Sequence, residues 1–224
     1  MAGADDSARD LPAGDFSSWL AAMQQALRGR ADSDVPCGTC TACCTSSQFV
    51  HIAPDEADAL AHIPAELLFS APRLPRGHVL MGYDQHGQCP MLINQQCSIY
   101  AHRPRTCRTY DCRVLPAAGV ELDEGEKVLI AERTRRWRFS HPTALDRVQH
   151  DAIQAAAATL SDHRGQLPAG AVPMNATALA VLAVEMHESF LELDAQTGDG
   201  KLVRPDLEAV RVELTARQLG PRSR

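Results

Sequence analysis

The stretch CGTCTACC, Cys37 to Cys44, places four thiols within eight residues, two of them adjacent. Four more follow at Cys89, Cys97, Cys107 and Cys112, separated by seven, nine and four residues. The chain has eight cysteines, so every thiol falls between positions 37 and 112 and the second half of the chain holds none. Thiolates two residues apart in a turn can converge on one centre while nearby N–H groups point at the sulfurs and offset their charge. Cys37, Cys40, Cys43, Cys44, Cys89, Cys97, Cys107 and Cys112 are therefore the candidate metal ligands. In a secreted protein the same count would suggest four disulfides, but no export signal opens this sequence, and 224 residues do not need such staples.

The spacing bears on which metal. Tetrahedral zinc commonly takes two separated Cys-x2-Cys pairs, and no second separated pair occurs. Cys37, Cys40 and Cys43 instead repeat the spacing of the first three ligands in bacterial ferredoxin runs. In those runs the last cysteine precedes a proline; Cys89 precedes Pro90, though far later than that motif places it. An iron–sulfur cluster is favoured, with zinc as the alternative. Neighbouring side chains diverge, so Cys43 and Cys44 do not both ligate one ion in an unstrained loop. One of them serves a main centre, and the other a second site or simple packing. Eight thiols permit two four-thiolate centres.

The second half of the constellation, CSIYAHRPRTCRTYDCR, crowds Arg103, Arg105, Arg108 and Arg113 around three cysteines, with Asp111 the only acid. Guanidinium groups could offset the negative charge of a thiolate centre, or form a solvated basic loop. Tyr100 and Tyr110 could shield the centre or pack ordinarily. CGTCTACC followed by GQCPML, CSIYAHRPRTCR and YDC closely resembles the CxxCxxCC (YkgJ-type) zinc- or iron-chelating cysteine-cluster family, over roughly Cys37 to Cys112. That resemblance implies metal chelation by these cysteines. The cysteine domain is also similar to that of flagellin lysine N-methylases, which implies metal-dependent protein methylation as an alternative activity. No methyl-donor signature accompanies it, and no catalytic residue can be named.

Other chemistry finds less support. The net charge of -6 and the pI near 5.8 leave no broad electrostatic footprint for nucleic acid or an anionic membrane. There is no phosphate-gripping GxxxxGK[ST], no GxGxxG and no GxSxG. Nine histidines include no His-x3-His pair; His51, His86 and His102 lie nearest the cysteines, with surface or packing roles expected. ERTRRWRF, Glu132 to Phe139, interleaves arginine with Trp137 and reads as a solvated edge strand or helix face. The longest apolar run, around Ala178 to Met186, is too short to span a bilayer, and a cytoplasmic location is expected.

The elements that must position the thiols read as an α+β unit. Residues 1–14 read as a mobile leader. Phe16, Trp19, Leu20, Met23 and Leu27 then fall at helical spacing, with Asp15 as the candidate cap. Gln48 to Ala53, His78 to Tyr83 and Lys127 to Glu132 read as strands, and Pro54, Asp55 and Glu56 as the first turn of a helix. Beyond residue 140 the pattern is helical. Leu145, Val148, Ala152, Ala156 and Leu160 mark one helix; Leu179, Leu182, Met186 and Phe190 mark a second capped by Asn175; Pro205 opens a third carrying Leu207, Val210 and Leu214. The expected organisation is a leader and helix over 1–34, a cysteine module over 35–139 and a helical layer over 140–224. The layer could meet a protein partner.

Overall fold

In the computed structural model, which describes residues 10–33, 35–122, 125 and 127–219, the strand β1 (Leu11–Asp15) leads directly into helix α1 (Phe16–Leu27). Phe16, Trp19, Leu20, Met23 and Ala26 are buried, one face at three- and four-residue steps. Asp15 stands at the N-cap position without capping; its carboxylate accepts from Ser140 Oγ instead. The expected leader is thus ordered from Leu11, while residues 1–9 lie outside the described residues.

The thiol-bearing half is built from short pieces. After the cysteine run come β2 (Val50–Ile52), α2 (Ala57–His62), β3 (Leu68–Ser70) and β4 (Val79–Met81). They form an antiparallel sheet in the order β2-β4-β3, with Met81 opposite both Val50 and Leu68. The helix expected from Pro54 begins only at Ala57. Glu56 bends back to accept the N–H of Ala53, which closes a turn where the first helical turn was expected. Next, β5 (Leu92–Ile93) and β6 (Gln96–Cys97) make a hairpin whose two turn residues, Asn94 and Gln95, both have positive φ. Tight two-residue hairpin turns require this, and asparagine tolerates it.

Helices α3 (Arg105–Thr109) and α4 (Val114–Ala118) follow, the latter closed by Gly119 at φ 64, the left-handed residue that ends many helices. The segment expected to be a strand at Lys127 to Glu132 is helix α5 (Val128–Thr134). Ile130, Ala131 and Thr134 are its buried residues, and this spacing suits a helix face rather than alternation. The strand comes later, as β7 (Trp137–Ser140), which runs parallel to β1.

The C-terminal pattern is confirmed as helical. Helix α6 (Ala144–Asp162) opens with a reciprocal capping box: Thr143 Oγ1 accepts from Asp146 N–H, and the Asp146 carboxylate accepts from Thr143 N–H. That carboxylate also accepts the Ser17 N–H at 2.8 Å, which ties α1 to α6. Burial opposes ionisation of Asp146, but hydrogen bonds from Thr143 and Ser17 outweigh it and hold the carboxyl well below the ordinary range. Helix α7 (Ala176–Met186) is capped by Asn175 as expected, its Oδ1 accepting the Ala178 N–H at 3.0 Å. A hairpin of β8 (Leu191–Leu193) and β9 (Gly200–Leu202) separates α7 from α8 (Leu207–Leu219), strands within the stretch read as helical throughout.

Two hydrophobic cores result. The larger joins α1, α4, α6, α7 and α8 through residues such as Phe16, Leu115, Ile153, Leu160, Val184 and Leu214. The smaller holds Val50, Ile52, Ala59, Ile63, Met81, Met91 and Ile99. No helix among the described residues is long and apolar enough to cross a membrane.

Candidate metal centre

All eight cysteines line one open cleft of about 790 Å³, together with Arg103, Arg133, Tyr100 and Tyr110. All eight are free thiols. Local backbone geometry explains the convergence. Gly38, at φ 57, turns the chain so that Cys40 N–H reaches the Cys37 carbonyl at 3.0 Å. The chain then winds into a single 3-10 turn, Ala42–Thr45, carrying the adjacent pair Cys43 and Cys44. Ser46 Oγ, buried, donates to the Ala42 carbonyl and closes that turn. Cys89 N–H donates to the Cys44 carbonyl at 2.7 Å, stitching the second cysteine block to the first across the sequence gap.

The remaining thiols come in on short elements. Cys97 ends β6 and pairs with Leu92, just after Cys89. Cys107 sits on α3, which Thr106 anchors by donating to the His51 carbonyl of β2. Cys112 is 6% exposed and accepts the indole N–H of Trp137 at 3.2 Å. Beneath it lies a buried ion pair: Arg113 donates to both carboxylate oxygens of Asp111, and Trp19 donates its indole N–H to the same group at 3.0 Å.

The electrostatics are those of crowded thiols. Burial, then Cys89 and Cys97, push Cys44 up to about 11. Burial, then Cys89 and Cys44, push Cys107 up to about 12. Cys112 reaches about 12, chiefly through burial, against the opposing pull of the Trp137 N–H. Cys43 is driven well above the ordinary thiol range by burial and then by Cys112. Cys37 rises through burial and Cys40, with Arg133 and Arg103 pulling the other way. Cys89 rises through burial, while the N–H groups of Met91 and Leu92 face its sulfur and oppose the rise. A cation placed among these groups would relieve both the desolvation and the repulsion, and thiolate is a donor that zinc and iron both accept.

Of the arginines expected to offset this charge, Arg103 alone lines the cleft, where it stacks on Tyr100 with Cζ 3.6 Å from the ring centroid. Arg105 pairs with Asp55, Arg108 with Asp32 and Arg113 with Asp111. The second guanidinium in the cleft is Arg133, from the run read as a solvated face; it also donates to the Pro36 and Cys37 carbonyls. Trp137, in the same run, is 3% exposed rather than solvated, and no signal in the sequence distinguished it. Among the described residues no histidine lines the cleft. His51 pairs with His78, and His86 with Gln85 on an exposed turn. His102 lies 2.9 Å from Asp58 and stacks on His62. The Asp58, His62 and His102 ligand atoms thus gather at the surface, outside the thiol cleft.

Comparison with known proteins agrees with this geometry. Residues 36–134 match the model of the CxxCxxCC family, described as a "putative zinc- or iron-chelating domain". Neither the curated proteins nor the solved structures give a match. The similarity to flagellin lysine N-methylases is not among the matches. The segment that contributes all eight cleft thiols is thus the one that matches the CxxCxxCC family model, residues 36–134.

Proposed function

We propose that this domain holds iron–sulfur clusters through Cys37, Cys40, Cys43, Cys44, Cys89, Cys97, Cys107 and Cys112, and that it serves redox or sensing chemistry in the cytoplasm. The observation that carries the reading is the convergence of all eight thiols, from four separate blocks of sequence, on one cleft shared with two guanidinium groups. A reducing compartment keeps such thiols available as ligands.

One feature favours a cluster over a lone zinc ion: Cys37, Cys40 and Cys43 have the spacing that lets three thiolates reach different corners of an iron–sulfur cube. When bound, a cluster would supply one-electron chemistry, and the protein supplies the thiolates, the N–H donors and the positive rim.

Anaerobic purification followed by iron, zinc and acid-labile sulfide analysis tests the reading. Iron and sulfide in equal amounts, with broad visible absorption bleached by dithionite, are expected. Stoichiometric zinc in a colourless protein would replace the cluster with a zinc-stabilised interaction module. Absence of both metals would overturn chelation.

A further inference from the structure

Resting on the reading that these thiols bind metal, we infer that they form two separate four-thiolate centres, Cys37, Cys40, Cys43 and Cys112 in one and Cys44, Cys89, Cys97 and Cys107 in the other. The peptide bond between Cys43 and Cys44 is the bridge. These two residues are consecutive in a 3-10 turn, where three residues complete a turn and neighbours point about 120° apart. One sulfur therefore leaves the turn on one side and the next sulfur on another.

Packing separates the same two sets. Cys40 and Cys112 belong to the large core, with Tyr110 and Ala42. Cys89, Cys97 and Cys107 all pack on the small core of Val50, Ile52, Met81, Met91 and Ile99. Backbone connections follow the division. The Cys44 carbonyl takes the Cys89 N–H, the Cys89 carbonyl takes the Leu92 N–H, and Leu92 pairs with Cys97. On the other side, α5 packs against the 3-10 turn, holds the Cys37 carbonyl through Arg133, and runs into Trp137, the donor to Cys112.

The fourth partner of Cys37, Cys40 and Cys43 is accordingly Cys112 and not Cys89, whose proline made it the candidate in the sequence.

The division is tested on the full chain, purified anaerobically, by native mass spectrometry and metal analysis. Wild-type protein is expected to carry two centres, seen as two equal mass steps on gradual chelation. Cys40→Ser, Cys112→Ser and their double variant should each keep half of the metal. Cys89→Ser, Cys107→Ser and their double variant should keep the other half. Cys40→Ser combined with Cys107→Ser should keep none. Cys43→Ser and Cys44→Ser should each lose half, and the two together all. A single mass step in wild-type protein, or complete metal loss in Cys40→Ser while far-UV circular dichroism stays native, would overturn the division and leave chelation standing. Wild-type protein without metal would overturn both. Should the serine variants fail to fold, the two mass steps of the wild type still decide.

Discussion

Trp137 donates its indole N–H to the sulfur of Cys112 across 3.2 Å, and both side chains are buried. A donor aimed at a ligating sulfur lowers the electron density there and tunes the centre. Trp137→Phe keeps a ring and removes the donor. Metal should remain bound, stability should fall by about 1–2 kcal/mol, and the reduction potential of a bound cluster should shift to more negative values. Redox titration of wild type and variant provides the check; an unchanged potential would show that the hydrogen bond does not reach the centre.

Asp111 and Arg113 form an ion pair beneath Cys112, with side chains 3% and 9% exposed. Removing one member leaves a buried charge without its partner, which costs about 3–5 kcal/mol. Asp111→Ala should therefore fall far in urea midpoint. Trp19→Phe, which takes one donor from the same carboxylate, should lose only about 1 kcal/mol. Equal losses in the two variants would contradict this ranking.

The raised thiols give the metal-free protein a defined pH dependence. Cys44 at about 11, and Cys107 and Cys112 at about 12, hold their protons in the folded chain longer than in the unfolded chain. The folded state then binds more protons above about pH 8.5, the ordinary thiol value, and stability falls as pH rises. The contribution is complete below that value and is lost as pH climbs towards 12. Urea midpoints of reduced, metal-free protein at neutral and alkaline pH should decline in that order. A rise would contradict the electrostatics. Metal uptake must expel the same protons, so metal affinity should increase with pH.

Chelation should loosen the two cores unequally. The small core has seven buried residues and takes much of its lining from Cys89, Cys97 and Cys107, whereas the large core has five packed helices of its own. Metal binding is then part of the folding free energy of the small lobe. Hydrogen exchange after chelation under reducing conditions should accelerate at least about tenfold in β2, β4 and α3, a loss of about 1.4 kcal/mol of protection, with little change in α6 and α7. Uniform acceleration would show that the lobes unfold together.

Much of the helical framework was legible in the sequence, because Phe16, Trp19, Leu20 and Met23, or Val210 and Leu214, repeat at helical spacing and are buried as that spacing requires. Asn175 was legible as a cap for the same local reason. The stretch from Val128 to Thr134 was not, since an apolar run of four residues fits strand and helix alike and only tertiary packing of Ile130 and Ala131 decides. The cysteines announced themselves by type and spacing. Which of them are neighbours depends on the β5–β6 hairpin and on α3, and those elements are too short to leave a periodic trace. Trp137 and Asp111 were hidden similarly, by arginines on either side that imply solvent.

The central claim is that sulfur alone surrounds the metal, since the cleft offers eight thiols and no histidine among its described lining, and the carboxylate there, Asp32, pairs with Arg108. X-ray absorption at the iron and zinc K-edges of anaerobically purified protein measures this directly. The account predicts a first shell of four sulfurs at about 2.3 Å from each metal, with iron backscatter beyond it from the neighbouring irons of a cluster. A first shell dominated by nitrogen or oxygen would contradict it.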